Sequence, residues 1–226
     1  MRKWARIALL ALVSAGVTHA QSKAVTIALV GDSTVEKGSG WGSAFAQLFN
    51  EKVTVKNFAI GGRSSKSFMG EKRWKPVLDA KPDYLFIQFG HNDQPGKGPD
   101  RETDPASTFR DNLTRYVTEA RQAGAKPILV SSLVRRQFGA DGKIASSLAP
   151  YAEGTRAVAK QLDVPLVDLH ALSETYYNGV GKEAAMGHNM KEGDITHLNA
   201  KGAQAVALLI AEQLKKGRHP LAAFLK

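Results

Sequence analysis

Short β-branched apolar runs alternate with segments of helical period through residues 23–226. Residues 25–30, 53–59, 84–89, 128–132 and 165–169 are near-continuous apolar stretches, the pattern of strands buried on both faces. Between them the chain predicts helices over 42–50, 105–123, 150–162 and 199–215. In the second, Phe109, Leu113, Tyr116, Val117 and Ala120 fall on one face. Asp104 is placed to cap its free amides, Pro105 suits its first position and Gly124 stops it. The last helix begins at Asn199 and should turn Ala203, Val206, Leu209 and Ile210 inward. Strand–helix alternation of this kind predicts an α/β fold, a three-layer doubly wound parallel sheet of about five strands. Ligands of such sheets bind beyond the carboxyl ends of the strands, so chemistry is expected in the loops there.

Residues 1–20 stand apart from this pattern. Arg2, Lys3 and Arg6 precede an apolar run over 7–17, and Thr18-His19-Ala20 offers a cleavage site, which together read as a signal peptide. The run is about half the ~20 residues of a spanning helix, so stable membrane insertion is not expected. The expected arrangement is a signal peptide over 1–20 and a single domain over 21–226, secreted or periplasmic and acting as a monomer.

The 226 residues carry 31 Lys and Arg against 21 Asp and Glu, a formal charge of +10. The chain has no cysteine, which excludes disulfides, thiolate zinc sites, iron–sulfur clusters and a cysteine nucleophile. Chemistry is left to oxygen and imidazole groups, and no metal or cofactor is called for. The basic charge comes without zinc-finger spacing, RNA-binding aromatic signature or arginine-rich arm. An acidic polysaccharide or a membrane surface fits it better than nucleic acid.

Four loops hold unusual residues. Gly31-Asp32-Ser33-Thr34 follows the first strand and can expose a hydroxyl. Ile60-Gly61-Gly62-Arg63-Ser64 follows the second, and its glycines let backbone amides approach a ligand closely. Gly90-His91-Asn92-Asp93 follows the third and can offer a side-chain amide. Asp194-Ile195-Thr196-His197 precedes the last helix. Its carboxylate and imidazole, three apart, can face one another.

Together these blocks resemble the SGNH (GDSL-type) hydrolases, named for a Ser, a Gly, an Asn and a His in four spaced blocks. Within them the wording Gly31-Asp-Ser-Thr-Val35, Gly40-Trp-Gly42, Asn57-Phe-Ala-Ile-Gly-Gly-Arg-Ser64, Gln88-Phe-Gly-His-Asn-Asp-Gln94 and Asp194-Ile-Thr-His-Leu-Asn199 is similar to the rhamnogalacturonan acetylesterase branch. Thr34 stands where the family usually has Leu. The resemblance implies a flavodoxin-like strand order 2-1-3-4-5 and a carbohydrate acetylesterase. It implies Ser33 as nucleophile, His197 as base and Asp194 as its orienter. Ser33, Gly62 (or Gly61) and Asn92 would form the oxyanion hole. An acetylated, acidic polysaccharide would be the partner, with Trp41, Phe68 and Trp74 as sugar-stacking rings. Arg63 and His91 would bind substrate, and Arg63, Lys66, Lys72, Arg73 and Lys75 make a basic stretch suited to pectic carboxylates.

Three other readings are open to the sequence. The same triad could act on acetyl-xylan, a lysophospholipid, a thioester or an aryl ester. His188, Glu192, Asp194 and His197 could serve a metal-dependent hydrolase. A non-catalytic carbohydrate-binding protein could keep the fold. Asp168 and His170 form a rival carboxylate–imidazole pair, with His170 expected to cap the segment after the fifth strand.

Overall fold

The computed structural model describes residues 24–226, so the expected signal peptide lies outside the described residues. Five strands, β1 (Val25–Gly31), β2 (Val53–Asn57), β3 (Tyr84–Gln88), β4 (Lys126–Val130) and β5 (Leu166–Val167), form one sheet. Its order is β2-β1-β3-β4-β5, and every neighbouring pair is parallel. This is the 2-1-3-4-5 order implied by the resemblance.

Strand period two explains the layers. Ile27 and Leu29 of β1 join Phe86, Ile128 and Val130 in one core with α1 (Gly42–Gln47), α6 (Leu169–Met186) and α7 (Ala200–Lys216). Ala28 and Val30 face the other way and join Leu85, Ile87 and Leu129 in a second core. That core is covered by α2 (Ser65–Gly70), α3 (Trp74–Asp79), α4 (Thr108–Gln122) and α5 (Ala149–Gln161). A 3₁₀ helix, Pro220–Phe224, closes the chain.

The five residues predicted for the inner face of α4 are its five buried ones. Burying Phe109, Leu113 and Val117 contributes about 1.5–3 kcal/mol each. Its start differs from the expectation. Asp104 Oδ1 accepts from the amides of Ala106 and Ser107 at 3.0 and 2.9 Å and from Ser107 Oγ at 2.8 Å. The carboxylate thus caps a separate turn, and the helix begins only at Thr108. In α7 the cap is as predicted, with the Asn199 side chain accepting from Gly202 N. Ala203, Val206 and Ile210 are buried there, whereas Leu209 is only partly so.

Three helices lie where none was expected. α2 and α3 have six residues each; α1 is no longer and was expected only as part of a segment over 42–50. α6 carries Gly179 and Gly181 and is kinked at Gly181, where φ is 82°. The cap of α6 is Asp168, whose side chain accepts from Ala171 N. His170, expected in that role, lies inside the first turn with Nδ1 3.1 Å from Ser132 O.

Candidate active site

Ser33 sits just past β1, in a turn held from beneath by a buried relay. Trp41 Nε1 donates to Gln88 Oε1 at 3.0 Å, and Gln88 Nε2 donates to Thr34 Oγ1 at 2.6 Å. Thr34 Oγ1 in turn donates to Asp32 Oδ1 at 2.7 Å. All four residues are nearly or fully inaccessible. Thr34 is therefore not a neutral replacement for Leu, because its hydroxyl joins β3 to the turn. Trp41 is wholly buried against Phe45, which corrects its expected role as a sugar-stacking ring. Phe68 is likewise inaccessible, and Trp74 is buried with its indole N–H donating to Glu119 Oε2 at 2.7 Å. Stacking on a sugar needs an open face, and none of the three has one.

The last loop reaches Ser33 from the far end of the chain. His197 Nε2 is 2.9 Å from Ser33 Oγ. His197 Nδ1 is 2.9 Å from Asp194 Oδ2 and 3.2 Å from Oδ1. Asp194 Oδ1 also accepts the amides of Thr196 and His197, at 3.1 and 2.9 Å. Burial works to raise the Asp194 carboxyl, but these hydrogen bonds and the imidazole outweigh it and hold it below the usual carboxylate range. Ser39 ties the two halves together: its Oγ donates to Ser33 O at 2.7 Å and its carbonyl accepts from Leu198 N at 2.9 Å. The imidazole is 34% exposed and the carboxylate 13%, so solvent and ligand reach the base while its anionic partner is sheltered.

The glycine loop explains its own composition. Arg63 N donates to Ile60 O at 3.4 Å, closing a turn in which Gly62 has φ of 78°, a conformation costly for any side-chain-bearing residue. A Cβ on Gly61 would come within 2.8 Å of Glu36 Oε2 and 3.5 Å of Ser33 Cβ, so the turn lies directly against Ser33. Asn92 is fastened to the same loop, its Nδ2 donating to Arg63 O at 3.2 Å. Among the described residues the N–H groups of Ser33, Gly61 and Gly62 have no protein acceptor. The four loops therefore meet, with free backbone donors beside a hydroxyl.

Behind them lie two buried acids. Asp32 Oδ2 faces His91 Nδ1 at 3.7 Å. Burial pushes His91 below the usual imidazole range, and Asp32 is held low by His91 and Thr34 against the effect of burial. At 3% exposure His91 is a wall behind the site, which corrects its expected contact with substrate. Asp93 accepts from Ser65 N, Ser65 Oγ, Gly90 N and Thr103 Oγ1. Burial nevertheless pushes its carboxyl up to about 7.

Much of the expected basic stretch is neutralised locally. Arg63 and Arg73 share Glu71, and Lys75 pairs with Asp79. Arg63 Nη1 also donates to Gly61 O at 2.9 Å, so it shapes the loop. Lys66 donates to Pro99 O, and Lys72 lies at the end of α2 with φ of 58°. Two arginines that the sequence did not single out lie nearer the site. Arg101 Nη1 is 3.5 Å from Gly62 O, and among the described residues it has no carboxylate partner. Arg136 is fully buried and donates to the carbonyls of Asp194 and His197 at 3.1 and 2.6 Å. No sequence signal marks either residue, since both read as ordinary surface charge.

The rival pairs separate. Asp168 is occupied by Arg156 and Ser131. His188 is stacked on Tyr176, and Glu192 is exposed. Among the described residues no group of three or more acidic or imidazole side chains is arranged to hold a metal ion.

A hydroxyl within hydrogen-bond reach of an imidazole, itself oriented by a carboxylate, is the arrangement of a serine hydrolase. Here it stands at the carboxyl end of a doubly wound sheet. The GDSL-like Lipase/Acylhydrolase family model matches residues 29–205, and the chain belongs to that family, a family of carboxylic ester hydrolases. It is 40% identical over 220 residues to the rhamnogalacturonan acetylesterase RhgT of Bacillus subtilis, covering 88% of this chain and 93% of that one. A second Bacillus subtilis relative, named "Probable rhamnogalacturonan acetylesterase YesY", is 35% identical over 206 residues, covering 86% and 94%. The crystal structure of Bacillus subtilis YxiM superposes with a TM-score of 0.77 at 27% identity, over 87% of this chain. The chain spans 57% of that protein. Among the described residues no helix is long and apolar enough to cross a membrane.

Proposed function

We propose that the protein is an exported serine esterase that removes O-acetyl groups from a pectic polysaccharide, with rhamnogalacturonan as its substrate. The observation that carries the chemistry is the unbroken chain from Ser33 Oγ to His197 Nε2 and from His197 Nδ1 to Asp194. His197 takes the Ser33 proton as Oγ attacks the acetyl carbonyl carbon. The oxyanion is held by the amides of Ser33 and Gly62 and by Asn92 Nδ2. Collapse breaks the bond to the sugar oxygen, which leaves with the proton from His197. Water then repeats the sequence on the acetyl-Ser33 ester, His197 removing one of its protons, and acetate departs with Ser33 restored.

The relatives' names support the acetylated pectic substrate. Local charge supports an acidic one: among the described residues Arg101, beside Gly62, has no carboxylate partner, and Arg135 is half-buried near His91 O at 3.5 Å. A hollow of about 420 Å³ beside the loop that carries His197 is lined by Leu198, Ala200 and Ala203 as well as by Lys37, Gln47 and Gln204. Export rests on the basic, then apolar, first twenty residues, and the mature protein would begin at Gln21.

The test measures acetate release from acetylated rhamnogalacturonan, acetylated xylan and nitrophenyl acetate, with Ser33→Ala as control. The expected result is the highest kcat/KM on rhamnogalacturonan, weakening with added salt, and a KM on that substrate raised by Arg101→Gln. Equal or better turnover of xylan, or salt-insensitive turnover of the pectic substrate, would overturn the substrate assignment and leave the esterase chemistry standing.

A further inference from the structure

Arg135 and Arg136 follow β4 as consecutive charges, yet they part company in the fold. Arg135 Nη1 runs outward to Gln94 Oε1 and Ser147 Oγ, at 2.5 and 3.2 Å. Arg136 turns inward and is 0% exposed. A buried guanidinium is costly unless its donors are matched, and among the described residues no carboxylate lies within ion-pair distance of it.

Its donors go instead to one loop. Nη2 donates to His197 O at 2.6 Å and to Asp194 O at 3.1 Å. The Arg136 main-chain N–H donates to Ile195 O at 2.9 Å. Three of the four carbonyls in the turn 194–197 therefore end on this residue. Nε donates to Asn189 Oδ1 at 2.6 Å, and Met190 N donates to His197 O at 3.0 Å, so both sides of the turn are gripped. The guanidinium carbon stands 5.8 Å from the centre of the Tyr177 ring, and the Tyr177 hydroxyl is its remaining polar neighbour. The side-chain contacts of this buried cation thus converge on the turn that carries the imidazole.

We propose that Arg136 is the positioning residue of the active site, fixing the Asp194–His197 turn so that the imidazole aims at Ser33 and opposing a second positive charge on that ring. The inference rests on the Ser33–His197–Asp194 reading above. The groups that face the turn are Asp194, His91, His188, Tyr177 and Arg136 itself. Burial keeps His91 and His188 below the usual imidazole range and Tyr177 above the usual phenol range. Arg136 is thus a fixed cation hydrogen-bonded to the backbone of the very turn that carries the imidazole.

The experiment compares rate–pH profiles on nitrophenyl acetate for the wild type, Arg136→Lys and Arg136→Met. Active sites are counted with a serine-reactive phosphonate so that loss of folded protein is not read as loss of rate. Arg136→Lys keeps the charge but not the planar fork. It should lose about 10²-fold in kcat with KM little changed, because Arg136 does not reach the substrate. Its acid limb should stay in place. Arg136→Met should lose as much and shift the acid limb to higher pH by on the order of half a unit or more. Wild-type kcat per active site in either variant, or an unmoved limb in folded Arg136→Met, overturns the proposal. Should Arg136→Met fail to fold, the kcat of Arg136→Lys decides the matter alone. Ser33→Ala is assayed in parallel: turnover surviving there overturns the triad itself, a failure distinct from any outcome with Arg136.

Discussion

His197 Nε2 lies 2.9 Å from Ser33 Oγ although 164 positions separate the two residues. The contact joins the end of β1 to the loop before α7, and under the proposed mechanism the hydroxyl is reactive only while the imidazole is uncharged. Ser33→Ala should reduce turnover of any acetyl ester to background, with an unchanged circular dichroism spectrum. In the wild type, kcat/KM should fall as the solution is acidified through the imidazole titration. Asp194, held below the usual carboxylate range, stays anionic through that interval, so a single acid limb is expected. Asp194→Asn should cost roughly 10⁴-fold in kcat, because an amide supports the wrong tautomer. A pH-independent rate would remove His197 from the mechanism.

Asn92 has two duties that one substitution can separate by rate and stability. Its Nδ2 donates to Arg63 O and is the proposed oxyanion donor. Asn92→Ala should lower kcat about 10²–10³-fold. The hydrogen bond to Arg63 accounts for only about 1 kcal/mol of stability. Stopped-flow acylation rates beside urea melts would check this, and a stability loss with intact acylation would leave Asn92 a purely structural residue.

Thr34→Val tests the relay beneath the nucleophile. The change strands Gln88 Nε2 and removes one donor from Asp32, which should cost about 1–3 kcal/mol. Thr34→Ser should recover most of it. Denaturant melts of the two variants provide the measurement, and a loss in Thr34→Ser as large as or larger than that in Thr34→Val would contradict a relay that depends on the hydroxyl.

Asp93 should make stability depend on pH. Burial raises its folded value to about 7, above the ordinary 3.8, so the folded protein holds that proton more tightly than the unfolded chain does. The associated stabilisation is complete below the unfolded value and is lost as pH rises towards 7. Comparing melting temperatures of the wild type and Asp93→Asn from pH 4 to 8, the wild-type advantage should shrink with rising pH. An advantage that stays flat or grows would contradict a protonated Asp93.

The sheet was legible because β1, β3 and β4 are largely buried, whereas β2, expected to be buried, is an edge strand with Thr54, Lys56 and Asn57 exposed. The helices α4, α5 and α7 showed a long inner stripe or a clear cap, α6 is broken by glycine, and of the three six-residue helices only α1 was expected, as part of a segment over 42–50. At the site, Ser33, Asp194 and His197 could be named because their residue types sit in fixed local spacing. Trp41 and Trp74 misled for a physical reason: an aromatic beside a glycine-rich loop has the same composition whether it faces solvent or core. Arg136 was invisible because its partners are backbone carbonyls, which no sequence pattern displays.

The loops that carry Ser33 and Asn92 spring from β1 and β3 at the centre of the sheet, and Arg101 belongs to the same β3–α4 connection as Asn92, whereas Lys66 and Ser147 lie on the connections after β2 and β4. Rim and reaction centre are thus joined, because Arg101 reaches the Gly62 carbonyl from the loop that carries Asn92. A change at Arg101 therefore acts on the glycine loop as well as on any anion held at its edge.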